Sequence, residues 1–408
     1  KLNLFKKVFS ISLLCSPKLL YFLNGSGILV KGLFRFCTNI SELGMLSGIF
    51  LNPSISSENV INDYHELLSK TKIHKKFNLN THTLLKANIS WQHYFPACST
   101  APWQLDGVIR GLRALNFKKL EVAHNGTVVV DATEGKINNG FYAIENDLSI
   151  PSTILDQPNQ EWVQYRPKEK MIVLDKIYKD GILIPKKLIG TNIIHLPTVK
   201  THVFTTITGA MKNAFGGLLH QNRHWAHRDI HNTLVDLLKI QYEIHENIFA
   251  VMDGTFAGDG PGPRAMNFKE KNILLASYDQ VAIDAIAAKL MGFDPMSIPK
   301  IRIAHENELG IGNPRDIKII GNSIEKINWG FTDTKNTFAS RIQKLIYWGP
   351  LRPLEKILLR TFLVNFSFMA SNLYHNVYWL KFIGKRRIRD AFDTQWGKLL
   401  KNYKIIKP

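Results

Sequence analysis

The sequence predicts an α/β protein with a mostly parallel sheet flanked by helices and with helical N- and C-terminal extensions. Three observations carry this. HTLLKANISW and KKLEVAHNGTVVV have strand character, and between them Leu105, Val108, Ile109, Leu112 and Leu115 repeat at helical spacing over 104–115. Strand, helix, strand at this separation is a βαβ unit, whose two strands pair in parallel. Further strand candidates follow (MIVLDKI, NIIHLP, IFAVMDG, NILLAS, RDIKIIG), with periodic helices at 232–245, 279–291 and 299–308.

Taken in order, residues 1–80 form an N-terminal extension. It opens KLNLFKKVFSISLLC, a basic patch and an apolar run without a small-residue cleavage site, which reads as a helix docked on the fold. Residues 58–76 read as a polar amphipathic helix, and nothing in 1–80 signals catalysis. The α/β core spans 81–330. Beyond it, 331–408 forms a basic, aromatic, helical extension. From Thr332 to Pro408 it holds fifteen Lys or Arg against four Asp or Glu, which is +11 of the net +19 of the 408-residue chain. Such an excess attracts anions: phosphorylated or carboxylated ligands, a membrane surface or nucleic acid.

Several classes are excluded. The three cysteines, Cys15, Cys37 and Cys98, make no C-x-x-C pair and cannot supply a four-thiolate cluster. Their scatter suits a reducing cytoplasm. No apolar run reaches the ~18 residues of a membrane span. No Gly-Lys-Ser/Thr phosphate loop and no G-x-G-x-x-G after a strand is present.

Chemistry concentrates in 195–231, HLPTVKTHVFTTITGAMKNAFGGLLHQNRHWAHRDIH. A strand enters, a polar turn follows, and a helical segment runs to Gly216-Gly217. Carboxyl ends of strands are where open α/β sheets bind ligands. Lys200 and Lys212 are compact charges suited to phosphate or carboxylate, and His202 is a proton relay. The Thr205-Thr206 pair is placed to cap the helix. Lys86 and Asn88 share one side at the end of the first core strand. Asp253, read at a strand end before the flexible loop TFAGDGPGPRAM, completes the set. Catalytic work is assigned to His202, Lys212 and Asp253. Ligand binding is assigned to Lys86, Asn88, Lys200, Asn213, His220 and Arg264, and all are expected at one cleft. His220, His224, His227 and His231 form a helical stripe only if the helix is continuous. Read as a His- and Arg-rich loop, they help bind the same anion, and no metal ligand set is assigned. Asp279 is read as a helix cap, and Asp284 as a buried lysine partner or a site residue.

Three blocks resemble the prokaryotic family named domain of unknown function 362: LLKANISW, then PTVKTHVFTTITGAMKNAFGG, then VMDGTFAGDGPGP with LLASYDQVAIDAIAAKLMGF. The agreement in order and spacing runs from about Thr83 to Gly321. The resemblance implies an α/β fold. Many members of that family carry ferredoxin modules, which this cysteine count does not support. It implies no reaction and no known cofactor. The expected function is an enzyme or cofactor-dependent protein acting on an anionic small molecule. The alternatives are a metal- or nucleic-acid-binding module and a cytoplasmic protein that docks on an anionic membrane through its C-terminal extension.

Overall fold

The computed structural model describes residues 49–52, 55–127, 129–157, 160–332 and 336–406. The predicted N-terminal docking helix lies outside them. Residues from Leu46 to Pro408 make one compact unit.

Its frame is a mixed, mostly parallel sheet. Along the main path the order is β12 (Ile319–Gly321), β1 (Ile49–Asn52), β11 (Asn267–Ser277), β10 (His245–Asp259), β7 (Thr191–Leu196), β2 (Thr83–Ala87), β3 (Leu120–His124) and β4 (Ser152–Ile154). β8 (Thr198–His202) pairs with β10 and with the short β9 (Thr206–Ile207). β2 is parallel to β3 and to β7, and β7 to β10. β10–β11 and β1–β11 are antiparallel. A separate hairpin joins β5 (Trp162–Tyr165) to β6 (Ile182–Pro185). The chain steps outward from β2 to β4, then returns to β7 on the other side of β2. That reversal is a topological switch point, and it opens a crevice outside the carboxyl ends of the strands.

Alternation along the strands sorts the two faces. Leu85, Ile194, Phe249 and Val251 lie in one buried cluster, under the helices Val60–Lys70 and Pro102–Ala114. Ala250, Met252 and Leu275 lie on the other face, with Gly209–Asn213, Ile230–Ile244 and Gln280–Met291. Gly107 is needed where the first two helices cross, because a Cβ there would meet Tyr64 Cδ2 at 2.6 Å.

Two expectations are corrected. MIVLDKI is no strand. The backbone N–H groups of Ile172, Val173 and Leu174 donate to the Asp236 carboxylate, and Leu174–Ile177 turns helical. The IFAVM strand does not stop at Asp253-Gly254 but continues to Asp259, paired with β11. Within 1–80, β1 pairs into the sheet and Val60–Lys70 packs on the core. The C-terminal segment is helical and closes onto the core through buried Trp379 and Trp396 and through Tyr403, whose hydroxyl donates to Asp106.

Candidate functional site

A cavity of about 270 Å³ opens at the switch point. Its floor comes from residues just past strand ends: Asn88 and Ser90 after β2, Asn125 after β3, and His202 closing β8. Lys212 and Asn213 enter from the Gly209–Asn213 helix and Arg264 from the β10–β11 loop. The opposite wall is built by the C-terminal helices, with Ser340, Tyr347, Ser367 and His375 among its residues. No carboxylate lines this cavity among the described residues.

Two buried lysines support the floor from beneath. Lys86 Nζ donates to Asn125 Oδ1 at 2.6 Å and to Ala87 O at 2.8 Å. Lys200 Nζ donates to Asn88 Oδ1 and Ser90 Oγ, each at 3.3 Å, and to Cys98 O. All these acceptors are neutral oxygens, so burial dominates. It lowers Lys86 to about 7, against the opposing pull of Asp156, and Lys200 to about 8. Asn213 Nδ2 donates to Lys86 O at 2.8 Å and to His195 Nδ1 at 3.3 Å. Burial holds His195 down to about 4, so its ring is neutral at pH 7. Nδ1 therefore accepts, and Nε2–H donates to Gln241 Oε1 at 2.7 Å. His195 thus fixes Asn213 at the cavity edge.

Lys212 differs from these. Its ammonium makes no hydrogen bond or ion pair among the described residues, and the Phe215 ring lies 5.4 Å from Nζ. Burial, then the charges of Lys300, Lys200 and Arg223, lower it to about 7. Burial and the same basic neighbourhood push His202 well below its ordinary value. Phe204 N donates to His202 Nδ1 at 3.2 Å, which leaves the ring proton on Nε2. Arg264 Nε donates to Ser90 O at 3.1 Å, with no carboxylate partner among the described residues.

Asn88, His202, Lys212, Asn213 and Arg264 therefore share one cavity, with Lys86 and Lys200 directly below. Asp253 does not join them. It lies on the Val251 face, 1% exposed, where Oδ2 accepts from Tyr64 (2.5 Å) and Trp103 (3.1 Å) and Oδ1 from Thr255 N and Oγ1. With four donors in place this is a satisfied buried carboxylate. Tyr64→Phe is expected to lower stability by roughly 1–3 kcal/mol, since a buried acceptor loses a donor. A denaturant midpoint unchanged from the parent would refute this.

His220 packs edge-on against Trp162 at 4.8 Å and stays outside the cavity. The histidine stripe is broken. His224 and His227 sit in the 3₁₀ segment Gln221–Asp229 and line the cavity, whereas His231 opens the next helix and accepts from Lys300 N. Among the described residues no three His, Cys, Asp or Glu side chains form a metal-holding group. Thr205 and Thr206 do not cap a helix; Thr205 Oγ1 donates to Ile207 O. Asp279 does cap Gln280–Met291, and Asp284 pairs with Lys300.

Sequence reasoning missed Asn125, although it directly follows a strand in the same way as Asn88. It also missed the wall supplied by residues 337–375, which carries no local signature of a site.

Comparison with known proteins agrees with the resemblance noted in the sequence. A thylakoid-associated protein of Synechocystis sp. (strain ATCC 27184 / PCC 6803 / Kazusa) is 30% identical over 125 residues, which is 30% of this chain and 38% of the relative. The aligned part is thus well under two thirds of that relative. No solved structure matches the chain. The family model described as "Domain of unknown function (DUF362)" matches residues 83–289. That span is half of the chain and runs from β2 through Gln280–Met291, taking in the cavity floor, so the chain belongs to the domain of unknown function 362 family.

Proposed function

We propose that the cavity binds an anionic small molecule, and that His202 and Lys212 exchange protons with it, as in an enzyme or a cofactor-dependent protein. The observation that supports this is Lys212, a half-buried lysine whose ammonium has no hydrogen-bond or ionic partner among the described residues, in a cavity whose described lining holds no carboxylate. Such a group is stabilised by an anion that enters. Arg264 offers a second charge, and Asn88 and Ser90 offer polar atoms beside it. Tyr347, Leu359 and Phe368 line the far wall and suit an apolar portion of the same molecule. An ammonium near 7 can give or take a proton at neutral pH, and His202 Nε2–H can donate.

Sulfate, which does not titrate near neutrality, tests the reading. In the free cavity Lys212 loses its proton as pH rises through about 7. A bound anion raises that value, so above pH 7 binding must draw in a proton. Sulfate affinity should therefore be highest below pH 7 and fall by up to about tenfold per pH unit above it. Calorimetry in buffers of different ionisation enthalpy should register proton uptake at pH 8. Affinity independent of pH, or absence of binding at pH 6, would sink the proposal.

Membrane association is a second reading, favoured by the description of the Synechocystis relative as thylakoid-associated. No helix among the described residues is long and apolar enough to cross a membrane.

A further inference from the structure

We infer that the outward face of the helices walling the cavity is a docking surface for an anionic lipid bilayer. This deepens the second reading above and is independent of what the cavity holds. In the helix Phe338–Tyr347, Ser340, Gln343 and Tyr347 line the cavity, whereas Phe338, Ile342 and Leu345 are exposed, Phe338 by 66%. Spacings of three and four residues put each trio on one side of the helix, and the two sides are opposed. The helix Val364–Asn372 repeats the arrangement. Ser367, Phe368 and Ser371 line the cavity; Phe366 and Met369 point outward, 60% and 56% exposed, and Phe362, in the turn just before the helix, is 75% exposed. A helix on a water-facing surface turns its apolar stripe inward. These two turn hydroxyl groups, together with Val364 and Phe368, toward the cavity and a further row of large apolar groups toward the outside. A patch of that kind marks an interaction site.

Charge selects the occupant. Arg341, Lys356, Arg360 and Lys381 are exposed on the same segment. Glu355, the single acidic residue in 336–389, is buried against Arg228 at 3.0 Å. A second copy of the chain would bring like charge against like. Duplex nucleic acid would pair with the basic groups and leave Phe362 and Phe366 unburied; a single strand could stack on those rings but would leave the aliphatic Ile342, Leu345 and Met369 of the same face uncovered. An anionic bilayer satisfies both, with lysines and arginines at the headgroups and rings at the acyl boundary.

The test is co-sedimentation of the full chain with phosphatidylcholine vesicles, with and without phosphatidylserine. The parent protein should bind the anionic vesicles and bind the neutral ones about tenfold less or weaker. A Phe362→Ser, Phe366→Ser, Met369→Ser variant should lose about tenfold or more of the anionic-vesicle binding, while its melting temperature and sulfate affinity stay those of the parent. If the variant binds like the parent, the face is wrongly assigned although membrane association stands. Equal binding to both vesicle types overturns the anionic surface. A parent that binds neither overturns membrane association itself, and sulfate binding then still judges the cavity separately.

Discussion

Lys300→Met should destabilise the folded chain by about 3–5 kcal/mol, the cost of leaving a buried charge without its partner. Lys300 Nζ lies 2.8 Å from Asp284 Oδ2 and 2.8 Å from Thr208 O, with both side chains fully buried. Asp284 also accepts from Ala210 N, the second residue of the helix Gly209–Asn213. That contact is close enough to dictate the residue beside it. Gly209 has φ +71°, and a Cβ there would fall 2.2 Å from the Asp284 oxygens. The ion pair therefore fixes the start of the helix that delivers Lys212 and Asn213. Replacing both partners, Lys300→Met with Asp284→Leu, removes the stranded charge and should recover much of the loss. Denaturant titration of the three proteins reads this out. A single variant within about 1 kcal/mol of the parent, or a double variant no better than the single, would refute the assignment.

Lys212→Met should leave the fold intact and cut sulfate affinity about 10- to 100-fold at pH 6, where the parent lysine is charged. A hydrogen bond to a charged group contributes roughly 1.5–3 kcal/mol, and about 1.4 kcal/mol is a factor of ten. The free protein should melt no lower than the parent, because the charges of Lys300, Lys200 and Arg223 all oppose this ammonium. The variant should also lose the proton uptake at pH 8. Lower affinity with uptake retained would move the titrating group elsewhere; unchanged affinity would remove Lys212 from the site.

The strands and helices that form the sheet were legible because their periodicity is local. Leu84 and Leu85, or Ile193 and Ile194, announce buried strands in any context. The polar residues at strand ends were legible for the same reason, which is why Asn88 and His202 could be named, whereas Lys212 and Asn213 stood out in the helical segment that follows. Asp253 was misplaced because Asp-Gly is a strong turn signal. Here the glycine has a different cause: β11 comes so close that a Cβ at Gly254 would lie 2.5 Å from Ile273 Cγ2. Pairing across the sheet overrides local propensity, and only the partner strand reveals it. MIVLDKI misled in a similar way. Its apolar run reads as a strand, but Asp236, some sixty residues on, captures the N–H groups a ladder would need. The far wall was illegible because its helices reverse the usual pattern: an apolar-outward helix offers a reader of the sequence an apparent core face with no core behind it.

The order of strands in the sheet also governs how the chain can fold. Its central pairs join distant segments: Thr83 meets Asn192, and Asn192 in turn neighbours Asn247. At the edge, Ile49 meets Ile319. Loop-closure entropy must be met before such contacts return any stability, so high contact order makes assembly slow. The local β2–helix–β3 unit can form early. β1 gains its partners only when the β10–β11 hairpin is in place and nearly the whole core has been made. During synthesis residues 49–52 therefore wait, as an unpaired strand, for a first partner that begins at Asn267.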